Sequence, residues 1–132
     1  MAELLVPISP GELIDKITIL EIKSERMTDP AKLHNVRTEL ALLNGTWAAS
    51  PFSATDIGEE WRGLREVNAS LWDIEDRIRD KEREGAFDAG FIELARAVYV
   101  TNDERAALKR RINTKLGSVL VEEKSYRDYA RK

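Results

Sequence analysis

Ile57, Leu64, Leu71 and Ile78 recur every seven residues, with Trp61, Val67 and Ile74 between them. A heptad of that length lays an apolar stripe along one side of a helix, and the stripe is stable only against other helices. It predicts a long helix ending before Gly85, with Glu75, Arg79, Glu82 and Arg83 on its wet face. The same three-and-four spacing recurs on both sides of it. Upstream, Ser9-Pro10-Gly11-Glu12 reads as a helix start. Ser9 caps, Pro10 takes the first turn where its missing N–H costs nothing, and Glu12 closes a capping box. Leu13, Ile17, Leu20, Ser24 and Met27 then carry a first helix to about Met27, and Ile14, Ile19 and Ile22 widen its apolar face. Asp29-Pro30 stops that helix and starts another, marked by Leu33, Val36, Leu40, Leu43 and Trp47. Its end is open by a few residues, because a glycine such as Gly45 commonly follows a helix end.

Phe91, Leu94, Val98, Thr101, Arg105, Leu108 and Ile112 predict a further helix from about Asp88 to Leu116, capped by Gly117. Thr101-Asn102-Asp103-Glu104 can alternatively be read as a capping box that divides it, and the expectation taken is one helix. Ser118-Val119-Leu120-Val121 and Leu4-Leu5-Val6 are short enough and apolar enough to pair as two strands, with a continued helix as the rival. The expected fold is therefore all-α: an antiparallel bundle of about four helices forming a single domain over residues 1–132, with a short two-stranded pairing of the termini as an addition. Its expected core includes Leu13, Ile17, Leu20, Leu40, Leu64, Leu71, Ile74, Val98, Leu108 and Ile112.

Composition removes most known chemistries. The absence of cysteine excludes disulfides, iron-sulfur clusters and thiol nucleophiles, and a single histidine, His34, excludes a His-pair metal site within one chain. With 21 basic and 24 acidic side chains, the net charge of -3 does not suit an electrostatic nucleic-acid binder. Glu3 stands where an export signal needs a basic start, and Leu4 to Val6 is too short for its apolar segment, so the expected location is the cytoplasm. No stretch approaches the ~20 apolar residues of a membrane span.

The remaining candidates are polar groups that interrupt apolar stripes. Glu12 and Asp15 form an acidic pair on one helix face, with Lys16 placed for an ion pair to Glu12. Thr101, Asn102 and Arg105 occupy places where an apolar seam should continue, and a polar notch there fixes register or lines a site. A buried Arg105 needs a carboxylate, with Asp15 or Glu12 the leading candidates; if that cluster opens into a cleft, it suits an anionic small molecule. Glu12 and Asp15 with Asp73 and Asp76 form the other candidate set, two acidic pairs of the kind that hold Mg2+ in all-α nucleotide pyrophosphohydrolases. In a chain with 34 % charged residues, solvated ion pairs are the simpler account of such acids.

The strings Ile8-Ser9-Pro10-Gly11-Glu12-Leu13-Ile14-Asp15-Lys16-Ile17-Thr18-Ile19-Leu20-Glu21-Ile22-Lys23, Leu71-Trp72-Asp73-Ile74-Glu75-Asp76, Thr101-Asn102-Asp103-Glu104-Arg105-Ala106 and Val121-Glu122-Glu123-Lys124-Ser125-Tyr126 resemble, as a set, an uncharacterised bacterial family. The resemblance spans nearly the whole chain. It implies an accessory or binding role in the neighbourhood of tetratricopeptide-repeat proteins and surface-sugar glycosyltransferases, and it implies no catalytic residue or ligand.

Two functions follow as expectations. The first is a helical protein-interaction module without a cofactor, self-associating or bound to another protein, because several long stripes on a short chain offer more apolar surface than one small bundle buries. The second is a metal-dependent nucleotide or sugar-nucleotide hydrolase using Glu12, Asp15, Asp73 and Asp76 with Mg2+.

Overall fold

The computed structural model describes residues 3–130 and places four helices: α1 Pro10–Arg26, α2 Pro30–Ala49, α3 Gly58–Glu84 and α4 Ala89–Leu116, with a short 3-10 turn at Pro51–Ala54. Their boundaries follow local chemistry. The Ser9 hydroxyl accepts the Glu12 N–H, the Asp29 carboxylate accepts the Ala31 N–H, and the Asp88 carboxylate accepts the Phe91 N–H. Gly85 and Gly117, both at φ 66°, close α3 and α4 in the left-handed conformation that a side chain disfavours. Two open boundaries resolve. α2 continues through Gly45 to Ala49, because Leu43 before it and Trp47 after it both pack on the core. α4 runs unbroken through Thr101–Glu104.

The expected pairing of the termini is not formed: among the described residues there is no strand. Leu4 and Val119 are 95 % and 98 % exposed. The C-terminal segment turns back at Gly117 and lies along α4 instead, where Lys109 and Arg110 pair with Glu122 and Glu123. Those charge pairs direct it away from the N-terminal arm.

α1 packs on α2, α3 and α4, and α3 packs on α4. The core lies where α1 covers the α3–α4 hairpin: Leu13, Ile14, Ile17, Ile57, Leu64 and Ile112 are buried together. Leu40, Leu43, Trp47 and Trp61 pack around them, with the two indoles edge to face at 5.9 Å. Helix length sets the limit of this core. At about 1.5 Å per residue, α1 is roughly 25 Å long and the hairpin helices roughly 40 Å. The distal part of the hairpin therefore has no third layer. Leu71, Ile74, Ile78, Phe91, Leu94 and Val98 face its seam and remain partly exposed. The heptad is buried at Ile57 and Leu64 and half open at Leu71 and Ile78.

Candidate functional site

α1 and α4 meet closely and antiparallel: Gly11 lies against Lys109 and Asn113, and Asp15 against Arg105. Gly11 is what permits the approach. A Cβ there would sit 2.5 Å from the Lys109 carbonyl oxygen, and the Gly11 N–H donates to Asn113 Oδ1 at 2.7 Å. One turn further along α1, Asp15 is 1 % exposed and fully used. Its Oδ1 accepts from Asn68 Nδ2 and Arg105 Nε, each at 2.9 Å, and its Oδ2 accepts from Arg105 Nη2 at 2.5 Å. Such a two-pronged guanidinium contact is the strongest neutralisation a buried carboxylate can find in a side chain. Asn68 also donates to Thr18 Oγ1, whose hydroxyl donates to the Asp15 carbonyl, so α1, α3 and α4 share one hydrogen-bonded unit.

Lys109 extends the unit outward. Its ammonium lies 2.6 Å from Glu12 Oε2, 2.6 Å from Glu122 Oε2 and 4.0 Å from Asp15 Oδ2. Burial pushes Lys109 toward the neutral amine, but Glu12 and Glu122 outweigh it and hold the group above its ordinary value. The bond to Asp15 raises Arg105 in the same sense, against its own desolvation. Both groups are therefore cations throughout the physiological range. No buried side-chain nitrogen or oxygen among the described residues lacks a partner.

Lys16 touches this unit through Glu12 at 3.8 Å and is otherwise half exposed. Asn102 lines the same face of α4 as Arg105, within an open groove of about 1210 Å³ between α4 and the C-terminal segment. Thr101 faces a separate shallow recess beside Ile92, Arg96 and Val100. The second acidic pair lies elsewhere. Asp73 accepts from Arg26 at 2.7 Å and Asp76 is exposed, so Glu12, Asp15, Asp73 and Asp76 do not converge. Among the described residues, no three His, Asp or Glu side chains are grouped to hold a metal ion. His34 is exposed on α2.

Four participants escaped the sequence reading as site residues: Asn68, Lys109, Asn113 and Thr18. Asn68 was legible. It falls four residues after Leu64 and three before Leu71, so it interrupts the α3 seam as Arg105 interrupts that of α4. Arg105, Lys109 and Asn113 follow one another at intervals of four and so share one face of α4. Thr18 carries no such signal.

A helical domain with a polar seam unit has counterparts in many folds, so residue-level similarity over the whole chain decides its kinship. A model of a family of unknown function, DUF6165, matches residues 4–130. The chain belongs to that family. No curated protein and no solved structure matches it. Among the described residues no helix is long and apolar enough to cross a membrane. The site consists of a walled carboxylate, Asp15, with its cations Arg105 and Lys109 reaching from the core to the edge of a groove. Its two cations are matched within the unit by the carboxylates of Asp15, Glu12 and Glu122.

Proposed function

We propose that the protein is a helical interaction module that self-associates through the distal half of the α3–α4 hairpin. The observation that carries this is the unfinished seam. Past Asp73, which Arg26 at the end of α1 still reaches, Ile74, Ile78, Phe91 and Leu94 have a partner helix on one side and partial solvent on the other. Phe87 and Ile92 extend the same end at 60 % and 57 % exposure. Two helices alone cannot enclose such a stripe, whereas two hairpins packed together make a four-helix unit that can. The flanking charge suits a second copy. Arg77, Arg79, Lys81 and Arg83 are interleaved with Asp76, Asp80, Glu82 and Glu84, so a two-fold arrangement can set unlike charges opposite one another.

The hydrolase alternative needs Asp15 and Asp73 to face one cation. The Asp15 oxygens take Arg105 and Asn68, and Asp73 takes Arg26, which favours the interaction reading. Sedimentation velocity of Ile78→Glu and Ile92→Glu beside the natural chain tests it. The natural chain should sediment as a dimer and both variants as monomers with unchanged helical circular dichroism. A natural chain that sediments like the variants defeats the reading.

A further inference from the structure

The C-terminal segment crosses α4 in the reverse direction and is held there by side chains. Glu122 meets Lys109 at 2.6 Å, Glu123 meets Arg110 at 3.0 Å, and Lys124 pairs with Asp103. The Tyr129 ring packs on Tyr99 at 5.1 Å between centroids. Lys124 and the Tyr129 hydroxyl together hold the Asp103 carboxyl below the ordinary carboxylate value. Read from its C-terminal end, this face of α4 offers two cations, then an anion, then an aromatic ring. The segment answers with two anions, a cation and an aromatic ring in the same order. The match is one of sequence-encoded chemistry, since Glu122, Glu123 and Lys124 in succession, and Tyr129 five residues on, find complements on α4.

The hold is nevertheless weak. Every residue from 119 to 130 is exposed, and exposed ion pairs contribute little because water and salt screen them. Val121 and Tyr126 remain in solvent, and a groove of about 1210 Å³ runs between the segment and α4. Tethering is what keeps the segment seated, because a short linker from Gly117 gives it a local concentration in the millimolar range. A segment of like chemistry from another chain competes against that concentration alone.

We propose that the α4 face from Tyr99 to Arg110 is a docking groove for an extended peptide carrying two adjacent carboxylates, then a base, then an aromatic ring, and that Glu122–Tyr129 is its resident occupant in cis. Lys109 has a partner for its ammonium outside the segment as well, Glu12 at 2.6 Å. Arg110 and Asp103 supply the discrimination: their opposite signs reject a uniformly acidic ligand. This face is separate from Ile78, Phe87 and Ile92, so the inference stands apart from the self-association reading.

The test uses the full chain and a fluorescein-labelled peptide of residues 118–130 as probe, read by anisotropy. Glu122→Lys with Glu123→Lys repels the resident segment, and Lys124→Ala with Tyr129→Ala releases it by its other end. Both double variants should bind the peptide about ten-fold or more tighter than the natural chain, because the tethered competitor is gone. Binding should fall as salt is raised to roughly 0.5 M, and adding Arg110→Glu to either variant should abolish it. Equal affinity for natural chain and variants, or binding indifferent to Arg110→Glu, overturns the proposal. Both double variants should keep the natural chain's mass by light scattering, which separates this outcome from that of the self-association test.

Discussion

Arg105→Met removes the guanidinium from the Asp15 site while keeping most of the side chain's length and apolar volume. Deleting one partner of a fully buried ion pair costs about 3 to 5 kcal/mol, because the survivor is left charged and unsolvated. Here the survivor is the worse one to strand, since Asp15 is 1 % exposed whereas the Arg105 side chain is 31 % exposed. Asn68 at 2.9 Å and Lys109 at 4.0 Å remain and relieve part of the cost. The expected loss is therefore at the lower end, about 3 kcal/mol. The converse change, Asp15→Asn, leaves a guanidinium that reaches water and should cost about 1 to 2 kcal/mol. Urea unfolding followed by circular dichroism reads both. With a slope near 2 kcal/mol per molar, Arg105→Met should lower the midpoint by about 1.5 M. A loss under about 0.5 kcal/mol, or an Asp15→Asn loss larger than that of Arg105→Met, would refute the argument from unequal burial.

The close approach of α1 and α4 predicts that Gly11→Ala costs about 1 to 3 kcal/mol in the same assay, because its methyl meets a backbone carbonyl that cannot rotate away. Leu64→Ala, at a fully buried site, should cost about 2 to 5 kcal/mol, and Leu71→Ala, on the half-open part of the heptad, distinctly less. Similar losses at the two positions in dilute solution would mean that the hairpin seam is sealed along its length. Glu60 gives a pH signature. Burial pushes its carboxyl up, but hydrogen bonds from Lys115 and the backbone and the charges of Lys115 and Arg111 bring it below 4.5. A depressed folded-state value means that the contribution is complete above pH 4.5 and is lost as pH falls through the folded value. Glu60→Gln should therefore lower stability at neutral pH and flatten its acid dependence, and an unchanged acid limb in a urea series would contradict the assignment.

The helices were legible because their signals are local. The Ser9 cap, the Asp29-Pro30 break, glycines at 85 and 117, and three-and-four stripes act over one or two turns, so the sequence alone locates them. Depth of burial was not legible, since Leu64 and Leu71 occupy equivalent heptad positions, yet the first is fully buried and the second partly exposed. A stripe records which side of a helix faces inward and is silent about how many layers lie beyond. The polar unit was half legible. Arg105 and Asp15 were marked as groups needing partners, whereas Asn68 and Asn113, whose spacing also carries a signal, were passed over and Thr18 carries none. Tail placement failed for a different reason: Ser118–Val121 has strand-like local character, and long-range charge pairs between Glu122, Glu123 and α4 overrode it.

Light scattering on the natural chain, taken from low micromolar to high micromolar concentration at near-physiological salt, tests self-association most directly. One chain weighs 15.0 kDa. If the distal hairpin completes its seam with a second copy, the weight-average mass rises with concentration to a plateau near twice that value, about 30 kDa. A constant mass of 15.0 kDa across the range would contradict the account and leave the half-open heptad without a partner of its own kind.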